Sequence, residues 1–152
     1  MRKTALHAAT GTLALLLVAT FWTSTLVSEL LLGPPAVQAV KHAIAWYGLA
    51  ALVLCMATTG ATGLALARGR SGRLVDEKRR RMPLLGLNGL LVLVPSALFL
   101  NARASAGQFD DVFYVVQGLE LLVGAVQLTL LARNVRTGLR LSGRLRPAPS
   151  SA

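Results

Sequence analysis

The sequence predicts an all-α, polytopic membrane protein with four transmembrane helices. Three observations carry this. Hydrophobic residues make up 54% of the 152 residues and charged ones only 14%, well under the roughly 25% of soluble domains. The charges are gathered into short clusters, which leaves four uncharged or nearly uncharged runs, each long enough for a helix to cross about 30 Å of hydrocarbon. Seven of the sixteen basic residues fall in one central stretch, Arg68 to Met82, as the positive-inside rule requires of a cytoplasmic connection.

The first segment, about 8–32, follows Arg2 and Lys3 and carries no formal charge over the 25 residues from Thr4 to Ser28. Arg2 and Lys3 with the small-residue site Ala36-Val37-Gln38-Ala39 imitate a signal peptide, but the apolar run exceeds a usual h-region of about 7 to 15 residues. Retention as a helix is expected. Gly33-Pro34-Pro35 then breaks the helix, because proline lacks an amide hydrogen and restricts the residue before it. A break this short predicts a hairpin into the second segment, 36–67. Its later half, ATTGATG, offers Thr59 and Gly63 at four-residue spacing for close helix packing.

The basic loop is assigned to 68–82 and the third segment to 83–102. Pro95 is expected to kink the third helix rather than end it, since in lipid neighbouring groups re-satisfy the freed carbonyl. A polar connection with Gly107, Asp110 and Asp111 leads to the fourth segment, 112–132, which holds one acidic residue, Glu120. The basic tail is 133–152. Fourteen of the sixteen basic residues lie before the first segment, between the second and third, or after the fourth; only Lys41 and Arg103 fall opposite. Both termini are therefore expected in the cytoplasm of a bacterial inner membrane.

The net charge of +10 points to anionic lipid head groups rather than nucleic acid, because no nucleic-acid-binding motif accompanies it. Arg68, Arg70, Arg73, Lys78, Arg79, Arg80 and Arg81 are the expected head-group contacts. A shift of 78 residues lays Arg2-Lys3 on Arg80-Arg81 and Phe21 on Phe99. Two parallel repeats would produce such a match; so would two apolar segments converging behind basic flanks, which is the preferred reading.

Chemistry is sparse. On the fourth helix Asp110, Phe113, Gln117, Glu120, Gly124 and Gln127 recur at spacings of three and four, so they share one face, which must turn away from lipid. Glu120 lies near mid-membrane and needs a proton or a cation. Lys41 enters from the same side, with Glu29 as its competing partner. Glu120, Lys41, Gln117 and Glu29 are the candidate substrate or ion path, with fixing of helix register as the structural alternative. Asn88 is expected to face the Thr58, Thr59 and Thr62 region of the second helix. His7 and His42 fall at opposite ends of their helices, too far apart for one haem. Cys55 is single. No catalytic residue, metal site or cofactor is expected.

The stretches FWTSTLVSEL, VKHAI, EKRRRMPLLGLNGLLVLVPSALFL and FYVVQGLELLVGAVQLTLLARNVRTGLRLSGRL resemble an uncharacterised family of small bacterial four-helix integral membrane proteins. The resemblance covers nearly the whole chain and implies the four-helix fold, but no activity. Small multidrug transporters differ in having a glutamate within the core of the first helix, whereas Glu29 lies near the end of this one. The leading functional expectation is a non-enzymatic partner or assembly component of a larger membrane complex. The alternatives are a small oligomeric transporter or channel using Glu120 and Lys41, and a quinone or haem redox anchor.

Overall fold

The computed structural model describes residues 2–68 and 72–141, leaving aside the side chains at 2, 73–75, 77–79, 81 and 141. Those residues form helices joined by short connections, without a strand. Four helices are long and apolar enough to cross a membrane: Lys3–Leu32, Pro34–Ala67, Met82–Ser105 and Asp111–Arg140.

Three of these helices are interrupted by a single wide turn. Helix α1 runs Arg2–Val27 and continues through a π turn, Ser28–Leu32. Helix α2 comprises Pro34–Ala43, a π turn at Ile44–Gly48, and Leu49–Ala67. Helix α3 comprises Arg73–Asn88, a π turn at Gly89–Leu93, and Val94–Ser105. Helix α4 is unbroken from Asp111 to Leu141. In each π turn an amide reaches the carbonyl five residues back, as Val94 N–H reaches Gly89 O. This third turn ends two residues before Pro95, so the α-helical ladder is interrupted close to the residue that cannot donate to it.

Helical backbone begins at Arg73, inside the stretch expected as a loop over 68–82. Glu, Lys and Arg are good helix formers, and Asp76 in the first turn favours the positive end of the helix dipole. The fourth helix likewise runs to Leu141, beyond the expected end at 132, with Arg133, Arg136 and Arg140 exposed along it. Of the expected head-group contacts, Arg68 and Arg80 are exposed. Arg70 and the side chains of Arg73, Lys78, Arg79 and Arg81 lie outside the described residues, as does the tail from 142 to 152.

The connections follow from turn chemistry. Gly33 adopts a positive φ of 86° and its carbonyl accepts from Val37, while Pro34 and Pro35 fill helix positions that need no donor. At the end of α3 the amide of Gln108 reaches Arg103 O and that of Gly107 reaches Ala104 O, a Schellman motif with Gly107 at φ 69°. Asp110 then caps α4, its Oδ1 accepting the Phe113 amide at 3.0 Å.

Helix α1 packs against α2 and α4, α2 also against α3, and α3 against α4, so that α2 and α4 stand across the bundle from each other. Two apolar clusters mark its ends. Val37, Leu100, Ala104 and Phe113 form one, at what we call the acidic end; Val18, Leu85 and Leu131 form the other, at the basic end. Between them aromatic side chains of α1 seat on glycines. A Cβ at Gly48 would come within 2.6 Å of the Phe21 ring, and one at Gly124 within 3.0 Å of Trp22. Trp22 Nε1 also donates to Leu121 O at 2.9 Å, pinning α1 to α4.

The outer surface is apolar to a degree that water would not tolerate. Leu30, Leu31, Tyr47, Val115 and Leu122 are all more than two-thirds exposed. Exposed Thr23 and Thr129 turn their hydroxyls onto carbonyls four residues back in their own helices, as lipid requires.

Candidate functional site

At the acidic end, Lys41 Nζ donates to Glu120 Oε2 at 2.6 Å. The pair joins α2 to α4 across the interior rather than between close-packed neighbours. Lys41 is 1% exposed and the Glu120 side chain 15%. Both positions are set by helix register. Lys41 is eight residues into α2 counting Pro34, and Glu120 ten into α4 counting Asp111, so at 1.5 Å per residue both lie roughly 10 to 14 Å from the same end. A lone charge at such depth costs several kcal/mol, and the partner's opposite charge offsets that cost.

Gln117, one turn before Glu120, donates its Nε2 to the same Oε2 at 3.3 Å. Its own amide oxygen is buried and has no hydrogen-bond partner among the described residues, and the residue is only 4% exposed. Glu29 lies in the π turn of α1 and feels the charges of both Lys41 and Glu120. Its Oε1 is likewise buried without a partner. The four residues named from sequence as a path are thus gathered at one end. Three are linked by hydrogen bonds, and Glu29 is coupled to them through space. The competition for Lys41 is decided in favour of Glu120.

A second charged contact lies beyond the first. Arg103 and Asp110 form an ion pair, and the guanidinium also stands 5.7 Å from the Phe99 ring. The hydrogen bond from Arg103, joined by the Phe113 amide, holds the Asp110 carboxyl below the usual carboxylate range. Asn101 adds another buried oxygen without a partner. No spacing in the sequence distinguishes Asn101 from other polar residues of α3.

At the basic end, polar contacts run between neighbouring helices. His7 Nδ1 is 3.0 Å from Thr59 O and 3.1 Å from Thr62 Oγ1, and Thr59 donates to Thr10 at 2.8 Å. The Thr59 and Gly63 face of α2 therefore meets α1, with Gly63 against the His7 ring. Asn88 does not face this region as expected. Its Nδ2 donates to Gln127 Oε1 of α4 at 2.9 Å, and Gln127 Nε2 donates to Leu85 O at 3.2 Å. The reason is the order of packing: here α1 occupies the threonine face of α2, and α3 turns its polar side to α4.

Among the described residues there is no group of three or more His, Cys, Asp or Glu side chains able to hold a metal ion. Compared with known proteins, the chain matches no family model, no curated protein and no solved structure.

Proposed function

We propose that this is a multi-pass protein of the bacterial inner membrane, built as two helical hairpins joined by the basic stretch with both termini cytoplasmic, and that it passes a small cation through the centre at Lys41 and Glu120. The orientation rests on the concentration of basic residues before α1, between α2 and α3 and after α4. A reporter fused after Ala152 should read as cytoplasmic and one inserted near Gly107 as external; the reverse pattern overturns the orientation.

The observation that carries the transport reading is the composition of the acidic end. Two carboxylates and one ammonium, the ammonium paired with Glu120, lie inside a membrane-spanning bundle beside a buried amide oxygen that no described residue satisfies. Ionisable groups at such depth are costly and mark ion pathways more often than chance. The test is flux into vesicles under an imposed membrane potential, read with entrapped proton- and sodium-sensitive dyes. Glu120→Gln should lower flux by about tenfold or more while the protein remains folded; unchanged flux removes Glu120 from the mechanism.

A second reading is a non-enzymatic partner or assembly component of a larger membrane complex. It is favoured by the shortness of the described connections, a single residue at Gly33 and five residues from Ala106 to Asp110. Purification in mild detergent followed by identification of what co-purifies would separate the two.

A further inference from the structure

We infer that Glu29, beside the Lys41–Glu120 pair and Gln117, is a proton-binding site, and that the cation handled at this centre is the proton. This deepens the transport reading and rests on it for its role, not for its existence.

The argument begins with charge. With both carboxylates ionised, Glu29, Lys41 and Glu120 sum to one negative charge among helices whose outer faces are apolar. Lys41 is committed to Glu120 at 2.6 Å, so the charge left without a contact partner is that of Glu29. The second step concerns hydrogen bonds. Glu29 Oε1 and Gln117 Oε1 are both buried acceptors with no donor among the described residues. Gln117 cannot satisfy its oxygen by turning its amide around, because its nitrogen is engaged with Glu120. The centre lacks one positive charge and at least one hydrogen-bond donor.

A proton on Glu29 supplies both at once. It cancels the residual charge and converts an acceptor-only carboxylate into a group that donates. A metal ion suits the place less well. It would face the Lys41 ammonium, and the described residues offer no group of three ligating side chains here.

The charged groups facing Glu29 are Lys41 from α2 and Glu120 from α4. Arg103 and Asp110, farther toward the end of the bundle, are occupied with each other, and His42 and Asp111 are exposed. Of the two groups facing Glu29, Glu120 is the like charge and Lys41 the opposite one, and Lys41 is held by Glu120. A proton leaving Glu29 would leave two carboxylates competing for one ammonium, a state with a built-in drive to rebind.

The experiment is infrared spectroscopy of the full chain in vesicles of mixed zwitterionic and anionic phospholipid, following the carboxylic-acid carbonyl band through a pH titration. At a pH of about 7 the wild type should show one protonated carboxyl, absent in Glu29→Gln and present in Asp110→Asn. Because Gln mimics a protonated Glu in shape and charge, Glu29→Gln should fold as the wild type does. Glu120→Gln removes the like charge and frees Lys41, so the Glu29 band should titrate at a proton concentration at least about tenfold higher. No acid band in the wild type, or a band that survives Glu29→Gln, overturns the site. An unmoved titration in Glu120→Gln overturns its coupling to the ion pair. A band that behaves as expected in a protein without flux would sink the transport reading and leave the proton site standing.

Discussion

The two ends of the bundle solve the same problem differently. At the basic end, helices meet through hydrogen bonds between uncharged side chains, such as Thr59 with Thr10 and Asn88 with Gln127, which in turn reaches Leu85 O. At the acidic end the groups are charged, the central pair spans opposite helices, and two buried oxygens beside it remain without donors. Neutral contacts of the first kind fix how helices pack, each worth on the order of 1 kcal/mol in lipid. A charged centre with unsatisfied acceptors is costly to keep and does not improve packing over apolar residues. That contrast underlies the proposal of a structural role for one end and cation chemistry for the other.

The largest expected effect breaks the charged end. Lys41→Met alone strands the buried Glu120 charge and should destabilise the protein by about 3–5 kcal/mol, a cost that adding Glu120→Leu relieves. The double variant should recover most of that stability in a detergent-unfolding assay yet show no cation flux. A double variant with wild-type flux would reduce the pair to a structural link. A smaller effect is expected at the basic end. Asn88→Leu should cost about 1 kcal/mol and leave flux unaltered; loss of flux at full stability would erase the distinction between the ends.

The smallest effect concerns Asp110. Its carboxyl is held below its unfolded value by Arg103 and the Phe113 amide, so its contribution is present above the ordinary carboxylate range and is lost as pH falls through the depressed folded value. Melting temperature should decline slightly over that acid window, and Asp110→Asn should flatten the decline. An equal decline in the variant would show that other carboxylates govern it.

Much of this was legible in one dimension. The spacing of Gln117, Glu120, Gly124 and Gln127 forces them onto one face, and their inward turn in α4 follows from the cost of polar groups in lipid. Other features were not. Phe21 and Trp22 carried no signal of a role, yet they seat on Gly48 and Gly124, because knob and hole lie on different helices. The π turns escaped as well. They depend on where a helix must shift its phase to keep packing, as at Gly48 under Phe21, and only Pro95 announced one of them.

The sequence by itself determined that four helices are long and apolar enough to cross a membrane. Hydrophobic length and charge placement act segment by segment, so no knowledge of neighbours is needed to read them. Only the tertiary structure decided that Lys41 takes Glu120 and leaves Glu29 without a contact partner, and that Asn88 turns to Gln127. Which partner a polar side chain finds depends on the rotation of each helix about its axis. That rotation is set by how the helices pack together, not by any one of them alone.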